Sequence, residues 1–360
     1  MLDTPILFLV FNRPEVTAEV FTAIREARPT TLFVAADGPR AEREGEATLC
    51  QKTRQIATAV DWPCTVTTLF RDENRGCGLA VSEAITWFFE HVEEGIILED
   101  DCLPHPDFFP FCAAMLARYR HDPRVLTISG DHFLPRGFDT PASHYFSKYV
   151  QIWGWATWRR TWEAYDFTLT TLPETEWRKI IETTCPLPIE SGYWSEVFRA
   201  MRAGGIDTWD FQLLFSCWKQ RGLHVVPRHN LISNLGYGPD ATHTNFAGIL
   251  AGQDVRGVPP PYTDSPAVAA NPDADGFIFY ARFLEHLSQS WWVEQVLSPE
   301  RKLGEARAEL SRKDRYIREL EREVREKRRQ LLAATRSLTA RSIAAAAPSS
   351  PDALNSVLHP

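Results

Sequence analysis

Gly95-Ile96-Ile97-Leu98-Glu99-Asp100-Asp101-Cys102-Leu103-Pro104 decides the architecture of this chain. The apolar run Ile96 to Leu98, with two β-branched residues, predicts a short strand buried on both faces, because a half-exposed strand alternates polar and apolar positions. That strand runs straight into Glu99, Asp100 and Asp101, carboxylates that repel one another and resist burial. A positive partner is expected there. A divalent cation held against a diphosphate meets the need, since a hard metal takes oxygen ligands and leaves positions open for phosphate oxygens.

Upstream, the same strand-then-polar pattern repeats. Ile6 to Phe11 reads as a strand ending at Asn12-Arg13-Pro14, and Val16, Val20, Phe21 and Ile24 follow at helical spacing. Leu32 to Ala36 is a second strand, ending at Asp37-Gly38-Pro39. A helix is predicted from Glu42 to Val60, a strand from Thr65 to Phe70, a loop through Asn74-Arg75-Gly76, and a helix from Leu79 to His91. Strands alternating with helices at this rhythm predict an α/β fold with a mainly parallel central sheet flanked by helices. In such a sheet the carboxyl ends of the strands border one crevice, so Asn12-Arg13, Asp37-Gly38, Asn74-Arg75-Gly76 and Glu99-Asp100-Asp101 converge there. Gly76-Cys77-Gly78 lacks the third glycine of a dinucleotide fingerprint, and no phosphate-loop lysine is present.

Downstream, a helix from Asp107 to Tyr119 and a strand from Val125 to Ser129 lead to Gly130-Asp131-His132. Trp153 to Trp162 then holds Trp153, Trp155, Trp158 and Trp162. Indole rings offer flat apolar area with a polar N–H, suited to stacking on a sugar face, and Gly154 would allow close approach of a ligand. Trp158 and Trp162 read as core, whereas Trp153 and Trp155 suit either role. A helix from Tyr193 to Arg202 leads to Trp209-Asp210, and Leu223 to Pro227 reads as a late strand. The Gly- and Asx-rich loop Asn230 to Thr244 contains His243, a candidate ligand.

These stretches together resemble a nucleotide-sugar glycosyltransferase of the GT-A fold, nearest to bacterial members of the nucleotide-diphospho-sugar superfamily and to the eukaryotic N-acetylglucosaminyltransferase I group. The likeness spans residues 3 to 250 and is carried by Phe11-Asn12-Arg13-Pro14, Ala36-Asp37-Gly38-Pro39, Glu99-Asp100-Asp101, Trp209-Asp210 and Ala241-Thr242-His243. It implies a Rossmann-like GT-A domain and an inverting, metal-dependent transfer from a nucleotide-diphospho-sugar donor, most often a UDP-sugar, to a hydroxyl of a glycan or glycoconjugate acceptor. By the same likeness Asp101 would bind Mn²⁺ or Mg²⁺, with His243 as a second metal contact. Glu99 and Asp100 would lie against the nucleotide, Phe11, Asn12, Arg13 and Asp37 would hold the base side, and Asn74 and Arg75 would border the donor. Trp153, Trp155 and Trp209 would face a sugar, and Asp210 would be the general base. Removing the acceptor proton requires one such carboxylate, and a departing nucleoside diphosphate needs no second acid. A nucleotide-sugar hydrolase and a noncatalytic sugar-binding scaffold are the alternatives.

The chain has 360 residues, 44% hydrophobic and 24% charged, the profile of a soluble globular protein. A net charge of -8 argues against general nucleic-acid binding. The seven cysteines, an odd count without a C-x-x-C pair, fit a reducing compartment, and the expected location is cytoplasmic. Four segments are expected: a catalytic domain over 1–255, a Pro-rich connector with an aromatic helix over 256–298, a basic helix over 299–341 and a disordered end over 342–360. The aromatic helix, 276–297, is expected to pack on the body. In the basic segment Leu303, Leu310, Ile317, Val324, Leu331 and Leu338 recur every seventh residue. This fits either a homo-oligomeric coiled coil or a helix held at the inner face of a membrane.

Overall fold

The computed structural model describes residues 1–135, 138, 140–236, 254–284, 322 and 327, and the chain divides into two compact units, Met1–Val296 and Leu297–Pro360. His243, residues 285–297 of the expected aromatic helix, the six heptad residues from Leu303 to Leu338 and the segment 342–360 lie outside the described residues.

In chain order the elements are β1 (Ile6–Val10), α1 (Pro14–Ala27), β2 (Thr31–Ala36), α2 (Glu46–Ala57), β3 (Thr65–Phe70), α3 (Cys77–His91), β4 (Glu94–Glu99), β5 (Cys102–Pro104) and α4 (Phe108–Tyr119). There follow β6 (Val125–Ser129), β7 (His144–Ser147), β8 (Trp155–Trp158), a short α5 (Arg159–Trp162), α6 (Glu174–Thr184), α7 (Pro188–Arg202) and α8 (Asp210–Lys219). Then come β9 (Leu223–Pro227), β10 (Ile232–Asn234), α9 (Pro272–Ile278) and a π-helical turn, Phe279–Leu284. Among the described residues no helix is long and apolar enough to cross a membrane.

Eight strands form one sheet in the order β3-β2-β1-β4-β8-β6-β9-β7. The pairs β3–β2, β2–β1, β1–β4 and β6–β9 are parallel, whereas β8 runs antiparallel between β4 and β6, and β7 antiparallel to β9. The fold is therefore α/β and Rossmann-like, with a mostly parallel sheet. Because β8 opposes both of its neighbours, β4 and β6 point the same way. The carboxyl ends of β3, β2, β1, β4, β6 and β9 accordingly lie on one edge.

The central strands are apolar throughout because each face meets a separate core. Ile6, Phe8 and Val10 of β1, with Ile96 and Leu98 of β4, pack toward α1 and α4. Leu7, Leu9 and Ile97 pack on the other side with α3, α7 and α8. The predicted strands at 6–11, 32–36, 65–70, 125–129 and 223–227 all form, to within a residue at their ends. The helix expected from Glu42 begins later, at Glu46, after turns that end on Gly45 at φ 80°.

The local sequence pattern does not announce β5, β7, β8, β10, α5, α6 or α8, and β10 lies inside the expected loop Asn230 to Thr244. β8 lies inside the tryptophan-rich stretch, with Trp155 on one face and Ala156 and Trp158 on the other. Burial of both faces erased the alternation that marks a strand. The Gly154 expected to admit a ligand instead admits protein: its φ is 64°, and a Cβ there would come within 2.5 Å of Ile232 Cδ1. α6 starts directly after Pro173 and buries only Trp177 and Ile181, and β7 is a four-residue strand.

The described residues of the connector belong to the compact unit Met1–Val296. Asp275 accepts a hydrogen bond from Ser147 Oγ at 2.6 Å, while Ala274, Ile278, Phe279 and Phe283 complete the core over α7 and α8. The helical segment starts at Pro272, four residues before the predicted position, since Asn271 caps it by accepting from Asp273 N and Ala274 N, each at 3.1 Å. Asn271→Ala should lower the unfolding free energy by about 1 kcal/mol. Urea unfolding with an unchanged midpoint would show that the cap contributes nothing.

Candidate functional site

Parallel pairing of β1 with both β2 and β4 gathers the predicted polar clusters on the carboxyl edge. Glu99 ends β4 directly beside Leu9 of β1. The turn after β4 is tied to the turn after β1: Phe11 N–H donates to Asp100 Oδ2 at 3.3 Å, and the Arg13 guanidinium bonds Asp100 and, through Nη1 at 3.0 Å, Asp101 Oδ2. The positive group that the acidic strand end demands is thus in part a side chain. Arg13, expected to hold the base side, forks across two of the three acids. Burial works against its charge, yet Asp100 and Asp101 more than compensate and raise its pKa above the ordinary arginine value.

One arginine does not neutralise the cluster. Burial, followed by the Asp101 and Asp100 charges, pushes the Glu99 carboxyl well above the usual carboxylate range, and Asp210 adds to the effect. Asp100 is raised too, chiefly by burial and despite Arg13. Among the described residues the Glu99 carboxylate has no hydrogen-bond or ion-pair partner, and Asp101 Oδ1 accepts only a weak bond from Cys102 Sγ at 3.5 Å. Among the same residues no ready-made group of three His, Cys, Asp or Glu ligands exists. A hard cation shared with substrate phosphates needs only one or two carboxylates, so this oxygen-rich, negatively charged corner fits Mg²⁺ or Mn²⁺ without a protein cage.

Several residues expected to contact a nucleotide instead brace the loops. Asn12 Nδ2 donates to Glu46 Oε1 at 2.9 Å, at the start of α2, and Glu46 also accepts from Arg40 N at 2.7 Å. The Arg40 guanidinium stands over the Phe11 ring at 5.5 Å. Asp37 accepts from Gly38 N at 2.9 Å and from Arg75 N at 3.0 Å, and burial raises its pKa. Asn74 donates to Gly38 O at 2.9 Å, and a Cβ on Gly38 would fall within 2.5 Å of the Glu73 backbone. These contacts lock the turns after β2 and β3 together. Arg75 is exposed and pairs with Glu83 at 3.1 Å.

On the other side of Glu99, α8 opens with Asp210. Its half-buried carboxylate accepts a bond from Thr208 Oγ1, and Gln212 Nε2 holds the Thr208 carbonyl at 2.7 Å. Asp207, three residues earlier, is committed elsewhere, accepting from Gly78 N at 3.0 Å at the start of α3. Cys77 sits among Glu99, Asp207 and Asp210, and burial followed by those charges raises its thiol pKa far above normal.

The expected sugar platform is largely core. Trp155 and Trp209 are 1% and 2% exposed and stack with centroids 5.7 Å apart and planes 21° from parallel. Both flat faces are covered by protein. Trp153 remains half-buried, edge-on to Phe133 at 4.9 Å. Arg40, Glu46, Thr208 and Asp131 were absent from the sequence-based site. Of these, Asp131 carried a readable signal, because it follows β6 as the other polar clusters follow their strands.

Asp131 is 1% exposed, and burial pushes its carboxyl up to about 7 against a partial opposing effect from Arg282. The native state therefore holds this proton across roughly pH 4 to 7, where an unfolded aspartate has lost it. The wild type then loses stability as pH rises through that window. Asp131→Asn, which cannot ionise, should gain over the wild type by up to about 1.4 kcal/mol per pH unit from pH 4 to 7, with a level difference above. Melting temperatures of the two proteins at several pH values check this, and a constant difference would refute it.

No protein-family model and no curated protein matches the chain. Among solved structures, UDP-glucose pyrophosphorylase complexed with UDP-glucose aligns at 9% identity with a TM-score of 0.33, covering 63% of this chain and 90% of that one. The apo form aligns at 8% identity and TM-score 0.33 over the same shares. HddC from Yersinia pseudotuberculosis aligns at 9% identity and TM-score 0.27, over 47% of this chain and 85% of that one. At these scores the likeness supports no inference about chemistry, which rests on the site's own residues.

Proposed function

We propose that the chain is a metal-dependent glycosyltransferase that moves a sugar from a nucleotide-diphospho-sugar, with UDP as the nucleotide, to a hydroxyl of a glycan or glycoconjugate. The observation that carries this is the meeting of Glu99, Asp100 and Asp101 with Asp210 across one sheet edge, where Arg13 alone bridges two of the acids. Asp101, beside Glu99, would hold Mn²⁺ or Mg²⁺ together with the diphosphate, and such an ion would offset the charge of the leaving nucleotide. Arg13 keeps Asp100 and Asp101 oriented. Phe11 and Arg40 border the base side. The loop that Asp37 and Asn74 hold would flank the donor. Asp210 would take the proton of the acceptor hydroxyl as the new bond forms.

The test combines binding with turnover. UDP should bind with Mn²⁺ or Mg²⁺ and far more weakly with chelator, and a donor panel beginning with UDP-glucose, the ligand named in one structural neighbour, should give transfer to a glycan acceptor. Release of sugar from donor alone at the rate of transfer would make the protein a hydrolase. Absence of metal-dependent UDP binding would make it a scaffold.

A further inference from the structure

Beyond the acidic corner, the same edge buries polar groups whose hydrogen-bonding capacity is unmet among the described residues. Among the described residues both carboxylate oxygens of Asp131, both amide atoms of Gln151, the Tyr145 hydroxyl and the Trp155 indole N–H are sealed from water and make no well-formed hydrogen bond. Native proteins leave few such groups, because each costs roughly 1–3 kcal/mol when nothing pairs with it. Here they occur together. Ser129 pairs with Trp155 and Gly130 N bonds Gly154 O at 2.7 Å, so Asp131 continues β6 beside the chain that enters β8. Ser129 Oγ donates to Gln151 O at 3.1 Å, and the Gln151 side chain lies beside the Tyr145 hydroxyl, whose pKa is raised by burial first and then by the Asp275 and Asp131 charges.

Arg282, on the π-helical turn, lies over the Phe133 ring at 4.9 Å and is the cation acting on Asp131, yet it forms no ion pair among the described residues. π-Helical turns recur at functional sites. A ligand for this set must both donate and accept, since Trp155 and Arg282 only donate, Asp131 accepts when ionised and donates one O–H when protonated, and Gln151 and Tyr145 do both. An inorganic anion would meet Asp131, a metal ion would find one carboxylate beside an N–H donor, and an apolar group would satisfy nothing. Adjacent hydroxyls fit, and Phe133 supplies an apolar wall for a sugar's C–H face. With Trp155 pairing Ile97 of β4 as well as Ser129 of β6, the cluster stands two strands from Glu99, about 10 Å along the edge. That is the direction in which a glycosyl unit would extend from a diphosphate held at β4.

We infer that Asp131, Tyr145, Gln151 and Trp155 form the subsite that recognises the hydroxyls of the donor's glycosyl unit, reached when the half-buried Arg282 side chain moves aside. The link to a donor rests on the transferase reading; the subsite itself rests on the unpartnered groups.

Calorimetric titration of UDP, UDP-glucose, UDP-galactose and UDP-N-acetylglucosamine with Mn²⁺ tests it in the wild type, Asp131→Asn and Trp155→Phe. The expected result is UDP affinity unchanged within about twofold in all three, with the advantage of the best UDP-sugar over UDP reduced about tenfold or more in Asp131→Asn. Trp155→Phe keeps an aromatic ring and removes only the N–H donor, and it should show the same loss if Asp131→Asn fails to fold. An advantage retained in both variants would mean the cluster holds ordered water, and overturns the subsite. Parallel loss of UDP and UDP-sugar affinity overturns it as well. If the wild type binds no UDP, the transferase reading fails by itself, and thermal shifts with excess glucose, galactose and N-acetylglucosamine decide the subsite. A shift seen in the wild type and absent in Asp131→Asn supports it; no shift with any sugar overturns it.

Discussion

Asp210→Asn should transfer sugar about 10²-fold more slowly, or slower still, while binding UDP as the wild type does. The substitution keeps the side chain's shape and an oxygen that can accept the Thr208 Oγ1 bond, and removes only the capacity to take a proton. Asp210 opens α8, so the neutral side chain also forfeits a helix-terminus interaction of about 0.3–1 kcal/mol, too little to unfold a chain of this size. Transfer rate and UDP affinity measured on the same preparation decide the matter. Retained turnover would place the base elsewhere. Asp207 is then a poor substitute, because its carboxylate already caps α3 through Gly78 N–H at 3.0 Å. Joint loss of UDP affinity and folding would show Asp210 to be a structural carboxylate.

Asp101→Ala should abolish the metal dependence of UDP binding. The variant removes an oxygen donor from the corner where Glu99 and Asp100 already crowd, and it also frees Arg13 Nη1, which sits 3.0 Å from Asp101 Oδ2. The two effects separate in one titration series. Loss of the ion pair alone would shift UDP affinity equally with and without Mn²⁺, whereas loss of a metal ligand abolishes the difference between the two conditions. UDP affinity with Mn²⁺ within threefold of the wild type would remove Asp101 from the metal site. Arg13 remains anchored through Asp100, so the turn after β1 should keep its place and the variant should fold.

The residues expected around a nucleotide divide along a physical line. Polar residues after strands in an α/β sheet face a crevice, and Asn12, Asp37 and Asn74 do stand at that edge. Their hydrogen-bonding groups are engaged by Glu46, the Arg75 N–H and the Gly38 carbonyl, so they shape the loops of the crevice. Residue type and position within a strand cannot distinguish a group offered to a ligand from one spent on a neighbouring turn. That choice depends on partners as far as 38 residues away in sequence, as for Asp37 and Arg75.

β1, β2, β3, β4, β6 and β9, the acidic end of β4 and the class of sheet were legible in the chain, because they follow from local apolar runs and the covalent order of strands and helices. Long-range pairing placed β8 antiparallel between β4 and β6, which stacks Trp155 on Trp209 and leaves neither ring face open for a sugar to stack on. The same pairing sets Arg13 against part of the acidic cluster and buries Asp131, Gln151 and Tyr145 with no well-formed side-chain hydrogen bond among the described residues. Each depends on long-range pairing, since a strand buried on both faces has no periodic pattern and a side chain's charge state is set by what folds against it.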